Sequence, residues 1–98
     1  MNRKKLKKLK RKIQSLRAGS ANIHTVDLVS LAKKLGRRLH DRGKHLTYVS
    51  DPFPNLRPLP IPSHPGALNP YTAENVLSQL EEDWLRWREV LGKSEDDG

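Results

Sequence analysis

The chain of 98 residues has no cysteine and no long apolar run, and both absences narrow its possible classes. Without cysteine there are no disulfides and no thiolate metal sites, so the chain suits a reducing compartment. No apolar run approaches the roughly 18 residues that span a bilayer, and the basic N-terminus lacks the apolar stretch of a signal peptide. We therefore expect one small cytoplasmic domain with no membrane segment.

Acidic residues are absent from the first 20 residues, which carry nine lysines or arginines. Residues 21–98 carry ten bases and eleven acids, so the formal net charge of +8 comes entirely from the N-terminal segment. A second basic cluster occupies residues 33–44, and the chain from residue 74 onward is acidic. Basic clusters are typical of nucleic-acid contacts, but they also occur on ordinary solvated surfaces.

Residues 2–17 have the spacing of an amphipathic helix that ends near Gly19. Leu6, Leu9, Ile13 and Leu16 recur at intervals of three and four residues, with lysines and arginines on the other faces. We consider four roles for this basic helix of residues 1–20: a phosphate-binding arm, a membrane-surface helix, a docking helix for a protein partner, and a helix that packs on its own domain. The narrow apolar seam without aromatic anchors speaks against the membrane role.

A second helix is predicted from Thr25 as N-cap to Gly36 at the C′ position, with Asp27 in the first turn, where the helix dipole favours an anion. Lys33 and Lys34 lie on its polar side. Its apolar stripe, which we expect to be buried, consists of Leu28, Leu31, Ala32 and Leu35.

A β-hairpin is predicted over residues 37–49 because polar and apolar residues alternate on either side of a glycine. If Gly43 and Lys44 form a two-residue turn, Arg42 pairs with His45. In that register one face carries Leu39, Leu46 and Tyr48, and the other carries His40, Arg42, His45 and Thr47. A three-residue turn would instead place Asp41 opposite His45. We favour the first register because it separates polar from apolar residues.

All seven prolines lie between residues 52 and 70. This segment could be a polyproline-II ligand for another domain. However, Leu59 and Ile61 alternate with Pro58, Pro60 and Pro62, and prolines two residues apart remove every backbone donor from one edge of a strand. We therefore predict the outer strand of a three-stranded sheet.

The last helix is predicted to begin with Asn69 as N-cap and Pro70 at its first position, although Thr72 is an alternative cap. One helical face carries Ala73, Val76, Leu77, Leu80, Trp84, Trp87 and Leu91. Because both tryptophans continue this stripe, we expect them in the core or at an interface rather than stacked on nucleic-acid bases. The acidic tail, residues 93–98, is predicted to be disordered.

Three short motifs in this order resemble the HicA toxin family of toxin–antitoxin systems. Leu-Ala-Lys-Lys-Leu-Gly at residues 31–36 is similar to the end of the family's first helix. Arg-Gly-Lys-His at residues 42–45 is similar to its histidine-bearing strand, and Ile-Pro-Ser-His-Pro-Gly at residues 61–66 to its closing strand and turn. The resemblance covers about residues 23–80, within a predicted domain of residues 21–92.

This resemblance implies an α+β fold like that of a double-stranded-RNA-binding domain. In such a fold, helices cover one face of a three-stranded antiparallel sheet in the order α-β-β-β-α, and here an extra basic helix precedes it. The implied activity is metal-independent cleavage of mRNA, as in an mRNA interferase, without a cofactor. The implied partner is a HicB-like antitoxin.

By position, the resemblance makes His45 the catalytic residue. An imidazole with a pKa near about 6.5 is suited to accept the proton of a ribose 2′-hydroxyl, which then attacks the adjacent phosphate. Arg42 and Lys44 are the candidates for stabilising charge on that phosphate. His64 is a candidate second acid or base, but His-Pro-Gly is equally a turn sequence.

The remaining candidates are basic residues expected to hold the RNA backbone without reading its sequence: Lys33, Lys34, Arg37 and Arg38. A metal mechanism is disfavoured because the four histidines show no ligand spacing. Two other functions remain open from sequence alone. One is an RNA-binding module without cleavage, and the other is a protein-interaction adaptor that uses the proline-rich strand and the N-terminal helix.

Overall fold

Three helices and three strands make up the part of the protein that the structure describes. The structure is a computed structural model that describes residues 1–19, 22–42 and 45–92, and within these every side chain except those of Asp41, Arg42 and His45. The order of elements is α1 (Arg3–Ala18), α2 (Thr25–Lys34), β1 (Arg37–Arg42), β2 (His45–Ser50), β3 (Leu59–Pro60) and α3 (Pro70–Leu91). The strands form one antiparallel sheet in the order β1-β2-β3, so the protein is a small α+β domain. The predicted disorder of the acidic tail lies outside the described residues.

Polar residues hold the N-cap positions of the helices, mostly as predicted from the sequence. The Asn69 side chain accepts the backbone N–H of Tyr71 at 2.8 Å, which confirms Asn69 as the N-cap of α3. The predicted N-cap of α2 is wrong by one residue, because His24 holds that position and Thr25 is already helical. Asp27 stabilises this earlier start of the helix, because its carboxylate accepts the backbone N–H of His24 at 3.0 Å.

The hairpin has the predicted two-residue register. Arg42 pairs with His45, and Leu39 pairs with Tyr48 three pairs further along the strands, on the opposite face of the sheet. Leu39 and Leu46 therefore share the face of Tyr48, as the alternation predicted. Both leucines lie near the end of the hairpin and remain 42% and 38% exposed, because the helices do not cover that end.

The proline-rich strand β3 is confirmed as the outer strand of the sheet. It pairs with β2 through Leu59 and Tyr48, and the backbone N–H of Ile61 donates to the carbonyl of Leu46 at 3.2 Å. The side chains of the sheet alternate in burial. Leu59 and Tyr48 are buried against the helices, whereas Pro60 is exposed on the opposite face.

Helix α1 is part of the same hydrophobic core as the rest of the domain. Its seam of Leu6, Leu9 and Ile13 is buried, so the helix packs on its own domain, one of the four roles considered for it. The indole N–H of Trp84 in α3 donates to the backbone carbonyl of Leu6 at 2.7 Å. The prediction that the tryptophans belong to the core is confirmed for Trp84, which is buried.

A buried ion pair joins the first residue of β1 to α3. Arg37 and Asp83 are 2% and 1% exposed, and Arg37 Nε donates to Asp83 Oδ2 at 2.6 Å while Arg37 Nη2 donates to Asp83 Oδ1 at 3.0 Å. The remaining nitrogen, Nη1, donates to the carbonyls of Tyr48 at 2.8 Å and Arg57 at 3.0 Å. The prediction that Arg37 belongs to a basic RNA-binding surface is therefore wrong, because its guanidinium is enclosed and its donors are used inside the domain.

We expect Asp83→Asn to lower the free energy of unfolding by about 3–5 kcal/mol, because the substitution leaves the Arg37 charge buried without a counter-charge. Urea unfolding at 25 °C measures this loss. The control is Glu82→Gln, which removes one charge from the neighbouring exposed position on α3. A loss for Asp83→Asn no larger than that of the control would contradict a structural role for the ion pair.

We expect the contact between α1 and α3 to stabilise the fold less in acid than at neutral pH. Arg17 Nε donates to Glu74 Oε1 at 3.1 Å, and this hydrogen bond lowers the pKa of the Glu74 carboxyl below its ordinary value. A lowered pKa stabilises the fold above the ordinary value near 4.5 and loses that contribution as the pH falls through the folded-state pKa. Since the pair is partly exposed, we expect a loss of about 1 kcal/mol or less.

The measurement is the free energy of unfolding of the wild type and of Glu74→Gln between pH 6 and pH 3. The difference between the two proteins should shrink below the ordinary pKa of a glutamate. A difference that stays constant across this range would show that Glu74 contributes through packing and not through its charge.

Candidate functional site

The sheet face opposite the helices carries several of the polar residues that sequence analysis singled out. Arg38 pairs with Val49 and His40 pairs with Thr47, so these four side chains share this outer face. Arg42 and His45 are the next face-sharing pair, at the end of the hairpin. The outer face therefore runs from a basic end at Arg38 to the start of β2.

The register places His45 as the first residue of the central strand. Gly43 and Lys44 lie outside the described residues, and only the backbone of Arg42 and His45 is described. The predicted roles of Arg42 and Lys44 at the phosphate, and of the His45 imidazole, therefore remain predictions. What the structure adds is the position of the His45 backbone in the middle strand, with β1 on one side and β3 on the other.

His64 lies in the segment that follows β3, at the same end of the sheet as His45. Because Thr47 pairs with Pro60 and β3 runs antiparallel to β2, the chain after Ile61 passes alongside the start of β2. The His64 ring makes a local turn: its Nδ1 accepts the backbone N–H of Gly66 at 3.2 Å. The ring is exposed, so the turn does not remove it from solvent.

Thr25 anchors this segment from the first turn of α2. Its hydroxyl donates to the carbonyl of Pro62 at 2.8 Å and accepts the backbone N–H of His64 at 3.2 Å. Nearby, the backbone N–H of Leu68 donates to the carbonyl of Ile23 at 2.7 Å. The start of α2 thus covers the edge of the sheet that the prolines leave without donors, and it holds the segment carrying His64 in place.

Arg38 is exposed, as predicted, but it already has a carboxylate partner. Its Nε lies 2.9 and 2.8 Å from the two carboxylate oxygens of Asp51, and both side chains are more than half exposed. A surface pair of this kind is weak and can exchange with water or an anion. Arg38 nevertheless contributes less positive potential than its charge alone would predict.

Lys33 and Lys34 are exposed at the end of α2, far from His45. They precede β1, and the five steps from Arg37 to Arg42 along that strand measure about 17 Å. The structure therefore places these lysines next to the start of β1, at the opposite end of that strand from the predicted catalytic residue. A ligand touching both regions must extend along the domain.

Lysines of α1 gather beside Lys34; a phosphate-binding arm was one of the roles considered for this helix, but none of its lysines was named as a site residue. An open groove of about 550 Å³ between α1 and the end of α2 contains Lys5, Lys8, Lys12 and Lys34. The 3-4 spacing of the three α1 lysines was visible in the sequence. The neighbouring position of Lys34 was not, because it depends on how α1 packs against α2.

No group of three or more histidine, aspartate or glutamate residues in the described ranges is arranged to hold a metal ion. Within the same ranges, no helix has the length and apolar character needed to cross a membrane.

Comparison of the chain with protein-family models, with curated proteins and with solved structures finds no match.

We expect Thr25→Val to loosen the segment that carries His64, because the isosteric side chain makes neither of the two hydrogen bonds of the hydroxyl. The free energy of unfolding should fall by about 1–2 kcal/mol. Hydrogen exchange of the His64 amide should quicken more than that of amides in the core of α3. Thr72→Val is the control, since Thr72 also lies in the first turn of its helix. Unchanged exchange at His64 would contradict the anchoring role of Thr25.

Proposed function

We propose that this protein is a metal-independent endoribonuclease that cleaves mRNA, similar to HicA toxins, with His45 as the general base. The observation that carries the proposal is the register of Arg42 with His45. It puts the histidine at the start of the central strand, on the sheet face opposite the helices and at the same end as His64. The order of elements from α2 to α3 also fits the α-β-β-β-α arrangement of a double-stranded-RNA-binding fold.

The proposed chemistry needs one proton acceptor and one proton donor. His45 takes the proton from a ribose 2′-hydroxyl, and the 2′-oxygen then bonds to the adjacent phosphorus while the bond from phosphorus to the 5′-oxygen breaks. The products are a 2′,3′-cyclic phosphate and a 5′-hydroxyl that has gained a proton. No external oxidant, reductant or cofactor enters this balance.

His64 is the proposed donor to the leaving 5′-oxygen. In a neutral imidazole, the nitrogen that accepts a hydrogen bond carries no proton. Nδ1 of His64 lies 3.2 Å from the backbone nitrogen of Gly66 and 3.4 Å from its carbonyl oxygen, so the neutral ring can hold its proton on either nitrogen. The proton donor is the imidazolium form of this exposed ring, in which both nitrogens carry a proton, and after donating one the ring regains a proton from water.

The proposed setting is the cytoplasm, with a HicB-like antitoxin as the partner. Leu39 and Leu46 support a protein partner near the catalytic end, since both are exposed leucines on the strands next to Arg42 and His45. An antitoxin that covered this end would bury both leucines and block access to His45.

The second candidate is an RNA-binding module without cleavage. It is favoured by the basic groove between α1 and α2, which lies away from His45 and does not require an imidazole. Such a module would bind RNA equally well with and without His45.

The test is cleavage of a labelled single-stranded RNA in the presence of EDTA. We expect the wild type to cut and His45→Ala to lose at least about 100-fold in rate, the usual contribution of a general acid or base. His40→Ala is the matched control, because it removes an imidazole from the same face of the sheet. Thermal unfolding must show that both variants are folded.

Three outcomes are informative. Cleavage that persists in His45→Ala would contradict the catalytic role. Cleavage that requires a divalent cation would contradict the metal-independent mechanism. Binding without cleavage by the wild type would favour the RNA-binding module.

A further inference from the structure

The groove between α1 and α2 is one of two strongly basic concavities beside α1 in the described part of the chain. In the other, between α1 and α3, Lys10 lies over the Trp84 ring at 4.4 Å and Arg3 donates to the carbonyl of Leu91 at 3.0 Å. The lining of the groove between α1 and α2 consists of Asn2, Lys4, Lys5, Lys8, Leu9, Lys12 and Lys34. All five lysines are exposed, and the buried Leu9 forms part of the floor. The lining contains five positive charges and no carboxylate.

These lysines differ from three arginines of the domain, whose charges are compensated by carboxylates. Arg37 is paired with Asp83, Arg38 with Asp51, and Arg17 with both Glu74 and Glu81. Among the described residues, none of the five groove lysines has a carboxylate within ion-pair distance. The groove therefore presents a concentrated positive potential that favours an anion.

The uncompensated charge has a cost in the free protein. Lys4 and Lys8, and likewise Lys8 and Lys12, are like charges four residues apart on one helix, an arrangement that destabilises an isolated helix. Helix α1 forms in spite of this because its seam is buried in the core. An anion in the groove would relieve the repulsion.

The spacing of the lysines fits an extended anion. Lys5, Lys8 and Lys12 span seven residues of α1, which is about 10 Å along the helix axis. The charges form a row, whereas a site for one phosphate would have its donors converge on a point. A row of ammonium groups suits several successive phosphates, and the absence of aromatic residues from the lining excludes stacking on bases there.

We propose that this groove binds the phosphate backbone of single-stranded RNA without reading its sequence. The inference rests on the proposed function, since it names the surface that holds the same substrate away from His45. Because the end of α2 lies next to the start of β1, at the opposite end of that strand from His45, the groove contacts nucleotides away from the bond that is cut. Loss of the groove should therefore raise KM while leaving kcat within about twofold.

The experiment compares two double variants of α1 in binding to a fluorescein-labelled 20-nucleotide oligo(U). Lys8→Ala with Lys12→Ala removes two charges from the groove. Lys7→Ala with Arg11→Ala removes two charges at the same spacing, from the side of α1 that faces α3. All four positions are exposed, so alanine should preserve the helix in both. Every protein also carries His45→Ala, so that the RNA stays intact.

We expect the groove variant to bind at least tenfold more weakly at low salt. The slope of log K against log salt should fall in magnitude by about 1.4, which corresponds to two lost contacts to single-stranded phosphates. The control variant should bind within about twofold of its parent. A third variant, Lys8→Arg with Lys12→Arg, should retain binding because it keeps the charge.

Equal losses in the groove and control variants would overturn the proposal, because they would show diffuse attraction along the whole helix. Binding of polyglutamate as tightly as oligo(U) would overturn the assignment to nucleic acid. If groove-dependent RNA binding is found but the protein with His45 intact cuts no RNA, the groove stands and the proposed ribonuclease function fails. If RNA is cut and the cleavage does not depend on the groove, the proposed ribonuclease function stands and the role of the groove fails.

Discussion

The buried pair of Arg37 and Asp83 is the interaction on which the arrangement of the sheet and α3 depends. A charge placed in a protein interior costs several kcal/mol unless its hydrogen bonds and its counter-charge are all supplied. Arg37 meets this condition with two bonds to Asp83 and one each to the carbonyls of Tyr48 and Arg57. Since those partners lie on α3, β2 and the following loop, only one position of the helix against the sheet satisfies them all. The direction of the hairpin, and with it the location of His45, follows from that position.

Local signals account for most of what the sequence predicts correctly. Asn69 caps α3 through a bond to Tyr71 two residues away, and Gly36 has the positive φ of 101° that ends α2. At Gly36 an added Cβ would lie 2.7 Å from Pro52 Cγ, so glycine is required by space as well as by conformation. The hairpin register is also local, because turn length and alternation both act within a few residues. Interactions between residues only a few positions apart can be predicted from the sequence.

Apart from the one-residue shift of the α2 N-cap, the errors concern contacts between distant residues. The sequence predicts Arg37 on the surface, because arginine is almost never buried without a partner. Its partner lies 46 residues away and cannot be identified from the neighbouring sequence. The sequence did contain one signal, since Asp83 stands in the apolar stripe of α3 between Leu80 and Trp87 at helical spacing. An acid at such a position requires a buried base, although the pattern does not say which. The groove beside Lys34 was missed for the same reason, because packing of α1 on α2 creates it.

In the proposed function, the distance between the groove and His45 separates binding from chemistry. Coulomb interactions between exposed charges are largely screened beyond about 10 Å at 0.1 M salt, and Lys34 of the groove lies next to the start of β1, a strand about 17 Å long whose other end pairs with His45. The groove lysines can raise the affinity for a polyanion without lowering the pKa of the imidazole, which would weaken it as a base. A cation close to the imidazole would raise the affinity for the polyanion but would also lower the pKa of the imidazole. This conflict applies to Arg42 and Lys44, which neighbour His45 in the sequence, and not to Lys8 and Lys12. The placement of nine positive charges in the N-terminal 20 residues, on a helix away from the sheet, therefore suits an RNA-cleaving domain better than the same charges around its catalytic residue would.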